Sequence, residues 1–239
     1  EEGYVRKVWG EALTVCLAYP NVYRTGMSNL GFQAVYGLIN RHPDCLCERV
    51  FLPDPGDEAS HRASSAPLFS LESQRPLADF DLVAFSLSFE NDYPNILTIL
   101  DMAGIPLEAE ARGERDPLVI GGGIAVTLNP EPLADFFDLF LIGEGEALLP
   151  DFLNAAVSRR RELTRGQFLT RIQRTIAGAY VPRYYRVATG PEGHITAREP
   201  LDAAFPARIV RRSAPDINAF ATEQGITTEA TEFGGLFLT

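Results

Sequence analysis

The feature that most constrains this chain is an alternation repeated along its first two thirds: a short, nearly uninterrupted apolar run, then a stretch with helical spacing. LTVCLAYP (13–20) precedes GMSNLGFQAVYGLINRH (26–42), where Leu30, Val35, Leu38 and Ile39 share one helical stripe. CERVFLPD (47–54) reads as a second strand, followed by a polar loop containing EASHRASS. DLVAFSLSF (81–89) leads into a helix over NDYPNILTILDMAG (91–104). PLVIGGG (117–123) precedes EPLADF, and DLFLIGEGE (138–146) precedes ALLPDFLNAAVSRRR. Strands apolar along their whole length are buried on both faces, which calls for a parallel sheet covered by helices on each side. The expected fold is α/β: a doubly wound, five-stranded parallel sheet in the order 2-1-3-4-5.

After about residue 160 the rhythm changes. RGQFLTRIQRTIAG (165–178) has helical spacing, and AYVPRYYRVATGPEGHITAREP reads as a strand, a Gly/Pro turn and a second strand. Residues 201–235 lack periodicity and read as a crossing linker, and the final LFLT is strand-like. The expected division is a Rossmann-type unit over 10–158, a helix and β-hairpin appendage over 159–200, and a linker with a first strand over 201–239. The start at Glu1-Glu2-Gly3 and the end inside LFLT both read as cuts in a longer protein.

Charge excludes one class of partner. With a formal net charge of −11 the chain lacks the basic face that nucleic acid requires. Its basic run Arg159–Arg161 falls at an expected helix end, where cations suit the macrodipole. No apolar run approaches the roughly 20 residues that span a bilayer, so no membrane partner is expected and cytoplasm is the default. Cys16, Cys45 and Cys47 are odd in number and have no metal spacing, so neither a disulfide framework nor a metal site is expected.

In an open parallel sheet, ligands bind beyond the carboxyl ends of the strands. Here that rim comprises Asn21–Ser28, Ser86–Asn91, Gly121–Thr127 and Gly143–Glu146. Gly26, Gly121, Gly122, Gly123, Gly143 and Gly145 gather on it, allowing close backbone approach to a ligand or merely tight strand-to-helix turns. Neither GGGIAV nor GEGEAL completes the dinucleotide pattern Gly-x-Gly-x-x-Gly, because Val126 and Leu148 stand at the third glycine. Glu144 and Glu146 would also oppose a pyrophosphate. One of them is expected to cap the following helix. His42, His61 and His194 all fall off the rim, so no histidine-based catalytic set can be assembled there.

The segments GMSNLGFQAVY, LFSLESQRPLADFDLVAFSLSFEND, PLVIGGG, LNPEPLADF and LIGEGEALLPDF resemble the N-terminal region of radical SAM proteins that place a cobalamin-binding-type, flavodoxin-like domain before a radical SAM barrel. The resemblance is strongest over residues 10–155. Cobalamin domains carry Asp-x-His-x-x-Gly after the first strand, and Asn21, Tyr23 and Gly26 fill that pattern here. Ser86 and Ser88 fill the serine motif after the third strand, and Gly121 and Gly122 fill the paired glycines after the fourth. The resemblance therefore implies a cofactor site of Asn21, Tyr23, Gly26, Ser86, Ser88, Gly121, Gly122, Gly123, Gly143 and Glu144.

Tyr23 departs from the family in the histidine slot. A phenol with an ordinary pKa near 10 is a poor cobalt ligand at neutral pH, and Asn21 cannot supply the carboxylate that orients an imidazole. Two readings stay open: a domain that binds cobalamin without a protein histidine, or a cofactor-free scaffold or substrate-docking module for the protein's own barrel. A flavin module is a third, although no phosphate loop is visible. The resemblance also implies a [4Fe-4S] cluster and S-adenosylmethionine beyond Thr239, held by a Cys-x-x-x-Cys-x-x-Cys loop. These 239 residues would then be catalytically silent on their own.

Overall fold

A computed structural model describes residues 1–10, 12–64, 66–214, 216 and 225–231. In chain order the elements are β1 (Leu13–Val22), α1 (Tyr23–Met27), α2 (Leu30–Arg41), β2 (Cys45–Leu52), α3 (Pro55–Ser64), β3 (Leu82–Ser86) and α4 (Tyr93–Met102). Then follow β4 (Leu118–Gly122), α5 (Ile124–Leu128), β5 (Leu139–Leu141), α6 (Gly145–Glu162), α7 (Arg165–Thr175), β6 (Ala179–Tyr180), β7 (Tyr185–Thr189) and β8 (Ile195–Pro200). The main sheet has the order β2-β1-β3-β4-β5-β6, with β1 to β5 parallel and β6 antiparallel at the edge. β7 and β8 form a separate antiparallel hairpin.

The five-strand parallel order expected from the sequence is present, with three local differences. The stretch after β2 is helical (α3) rather than a loop; Pro55 opens it and Asp57 and Glu58 sit in its first turn, where acidic groups suit the helix dipole. The helix expected over 26–42 is two, because Asn29 adopts an extended backbone and its side chain accepts from Phe32 N at 2.9 Å, capping a fresh start for α2. A sixth strand, β6, comes from AY (Ala179–Tyr180), which sequence periodicity merged with the hairpin. The strand-like LFLT lies outside the described residues.

Side-chain alternation splits the core into two layers. Leu13, Val15, Leu17, Leu82, Ala84 and Ile120 face α2, α6 and α7, whereas Cys16, Ala18, Val83, Phe85 and Val119 face α4. Such burial on both faces explains the continuous apolar runs. α7 packs its Phe168, Leu169 and Ile172 into the first layer, and its amino end carries a full capping box between Thr164 and Gln167.

Two buried ionic clusters hold the ends of the sheet. Asp138 is fully buried just before β5 and accepts from Arg112 (3.1 Å), Arg165 (2.7 Å) and, more distantly, Arg183 (3.4 Å). At the other edge, Arg49 of β2 is likewise fully buried. Its Nε donates to Glu72 at 2.7 Å, and its two terminal nitrogens donate to the Glu1 carboxylate at 2.9 and 2.8 Å.

Candidate functional site

An apolar slot of about 260 Å³ opens at the carboxyl rim between the sheet and helices α2 and α6. Its floor is Val15, Leu17, Leu82, Ala84 and Ile120, and its walls include Val35 and Ile39 on one side and Leu149 and Phe152 on the other. The mouth carries Asn29, Ser86, Ser88, Glu146 and the glycine backbone at the end of β4 (Gly121–Gly123) and just past β5 (Gly143). No Lys or Arg lines it among the described residues. A largely apolar slot with one carboxylate, a few neutral polar groups and no cation at its mouth suits a flat organic group rather than a phosphate.

Of the residues singled out in the sequence, Ser86, Ser88, Gly121, Gly122, Gly123 and Gly143 line this slot. The glycines serve different ends. A Cβ on Gly121 would stand 2.8 Å from the Phe140 ring, and one on Gly123 would stand 2.4 Å from Leu87 O at a φ of +115°. Gly143, at φ +139°, would collide with Arg212 O at 2.1 Å. These three are required by packing of the chain on itself. Gly122 differs: the nearest atom to its added Cβ is Leu141 O at 3.8 Å, an ordinary contact, so a Cβ there meets no clash.

Asn21, Tyr23, Gly26 and Glu144 lie outside the slot lining. Tyr23 turns toward β2: its ring meets Phe51 edge-on at 5.1 Å between centroids, and its hydroxyl donates to the Glu1 carboxylate. Burial and that bond push its pKa up to about 12, so the phenol is neutral at physiological pH. Gly26 is needed because a Cβ there would stand 2.4 Å from the Phe51 ring. Asn21 Nδ2 donates to Asp92 Oδ1 at 2.8 Å. Burial raises the pKa of Asp92, against the opposing effect of that hydrogen bond.

Glu144 belongs to the returning chain. Its Oε2 accepts from Ala214 N at 2.7 Å and its Oε1 from Arg211 at 3.0 Å, while Gly143 and Arg212 form a parallel bridge. Further along, Ile226 N donates to Gln33 Oε1 at 3.2 Å, and Glu2 and Thr227 exchange two backbone bonds.

Sequence reasoning missed Asn29 as a site residue and did not separate Glu146 from Glu144. Asn29 caps α2, and its amide also donates to Ser88 Oγ at 3.1 Å, tying the α2 start to the β3 rim. Its place before a helical stripe was the available signal; nothing local in GEGE distinguishes its two carboxylates.

Residues 31–182 match the family model described as radical SAM proteins, N-terminal. The chain belongs to that family. An uncharacterized protein of Methanocaldococcus jannaschii is 27% identical over 132 residues, covering 55% of this chain and 24% of that protein. The chain thus spans about a quarter of the length of the curated relative it matches. No solved structure matches it. In this radical SAM N-terminal region, no helix among the described residues is long and apolar enough to cross a membrane. Nor do any three His, Cys, Asp or Glu side chains among them cluster to hold a metal ion.

Proposed function

We propose that this chain is the accessory N-terminal unit of a radical SAM enzyme, and that its rim slot receives the flat part of a cobalamin bound without a protein nitrogen ligand. The observation that carries the reading is the slot itself, open at the strand ends beside Gly122, which has no Cβ, and beside the hydroxyls of Ser86 and Ser88. In this reading those serines and the backbone of Gly121–Gly123 hold the cofactor's polar edge. When bound, cobalamin supplies a cobalt centre able to carry a methyl group or exchange an electron. Tyr23, neutral and engaged with Glu1, would not ligate the cobalt.

In the same reading the [4Fe-4S] cluster and S-adenosylmethionine belong to the protein's own barrel, which meets the rim. Phe89, after β3, and Ile124 and Leu128, at the two ends of α5, are 60%, 54% and 72% exposed there, an apolar surface suited to an intramolecular partner. The second reading, a cofactor-free scaffold or docking module for the barrel, draws support from the packing roles of Gly121, Gly123 and Gly143.

The visible spectrum after incubation with hydroxocobalamin and desalting separates the two. Retained corrinoid bands are expected; a colourless protein favours the scaffold. For the family assignment, a longer protein extending past Thr239 should bind iron anaerobically and release 5′-deoxyadenosine with a reductant. If the natural chain has no Cys-x-x-x-Cys-x-x-Cys loop there, the radical SAM activity is lost as an explanation.

A further inference from the structure

The two carboxylates of GEGE have separate fates. Glu144 is consumed by the returning chain, through Arg211 and Ala214 N. Glu146, in the first turn of α6, lines the slot mouth and has no hydrogen-bond or ion-pair partner among the described residues. The cations of the returning chain are already engaged: Arg211 with Glu144 at 3.0 Å and Arg212 with Asp151 at 2.6 Å. The other polar side chains at the mouth, Asn29, Ser86 and Ser88, are uncharged.

We infer that Glu146 is the specificity-determining residue of the slot, accepting a hydrogen bond from a neutral or cationic nitrogen on a flat ligand and excluding anionic ones. The inference rests on reading the slot as a ligand site. A carboxylate at an apolar mouth with no compensating cation attracts an N–H donor, because the bond is charge-assisted. It repels a ligand carboxylate or phosphate, because the low-polarity walls screen like charges poorly. The amino end of α6 favours a carboxylate at this position, so Glu146 can be held there without a partner side chain. The ligand class is therefore a planar heteroaromatic or amide-bearing group, not a nucleotide whose phosphate enters the mouth.

Three small planar probes test this directly: benzimidazole, which has a ring N–H; indene, which has none; and benzimidazole-5-carboxylate, which is anionic. Their dissociation constants are measured by ligand-observed NMR for the protein and for Glu146→Gln. The expected order is benzimidazole tightest, with the carboxylate weaker by roughly tenfold or more. Glu146→Gln should keep its thermal midpoint and lose most of the discrimination against the anion. Unchanged discrimination in that variant, or no slot binding of benzimidazole by the protein, overturns the inference. Hydroxocobalamin run in parallel distinguishes the failures. Benzimidazole binding without corrinoid binding removes the cobalamin reading and leaves the role of Glu146 standing, whereas corrinoid binding indifferent to Glu146→Gln does the reverse.

Discussion

Asn21 Nδ2 donates to Asp92 Oδ1 at 2.8 Å, which ties the end of β1 to the start of α4. Asn21, which fills the aspartate slot in the proposed likeness to cobalamin domains, thus faces a carboxylate across the rim. Introducing an Asp-x-His pair at 21 and 23 is therefore not a local change. Asn21→Asp removes the donor and sets a second carboxylate against the buried Asp92, costing about 1–3 kcal/mol near neutral pH. The expected outcome is that Asn21→Asp with Tyr23→His lowers the urea midpoint and leaves hydroxocobalamin affinity no tighter. Adding Asp92→Asn should recover the stability. A double variant as stable as the parent would contradict the pairing.

The glycines of PLVIGGG should separate by function. Gly122→Leu meets no clash at Cβ on a residue that lines the slot, so it should block slot ligands while shifting stability by no more than about 1 kcal/mol. Gly123→Ala meets Leu87 O and a positive φ, and should cost roughly 2 kcal/mol or more. Thermal melts beside benzimidazole titrations read both quantities. Equal destabilisation at the two positions would show that the slot is not open at Gly122.

The Arg49 cluster makes a signed pH prediction. Burial pushes the Glu1 carboxyl up, but hydrogen bonds from Arg49 and Tyr23 and the Arg49 charge outweigh it and hold the pKa below 4.5. Its contribution is present above that ordinary value and is lost as pH falls through the depressed one. Glu72 runs oppositely: burial wins over Arg49 and raises its pKa above 4.5, so its contribution is present in acid and declines as pH rises. The deficit of Glu1→Gln should shrink below pH 4.5, whereas that of Glu72→Gln should shrink above it. Denaturant midpoints from pH 3 to 8, roughly spanning the carboxyl range, give both slopes; parallel curves would refute the assignment.

Asp138 is expected to be the most costly single position. Asp138→Asn leaves Arg112 and Arg165 without their carboxylate in the interior, a loss of about 3–5 kcal/mol. Removing the half-buried Arg183, by contrast, breaks the 3.4 Å contact to Asp138 and a 2.9 Å hydrogen bond to Ala109 O, and should cost about 1–2 kcal/mol. Urea unfolding of the two variants tests the ranking.

The parallel sheet, its order and the position of the rim were legible in the sequence because burial on both faces forces continuous apolar runs, and each run is followed by its own crossover helix. The slot-lining serines and glycines were legible for a related reason: strand ends are marked by the turn residues beside them. α3 was hidden by its polarity, since an exposed helix has no stripe to read. The destination of Tyr23 was hidden as well. Only the fold brings Glu1, Arg49 and Phe51 to it, across separations of 22 to 28 residues. The division of labour within GEGE was decided by the tertiary structure in the same way. Glu144 and Glu146 are chemically identical and two residues apart, and what distinguishes them is that residues 211–214 return to bind one and leave the other facing the slot.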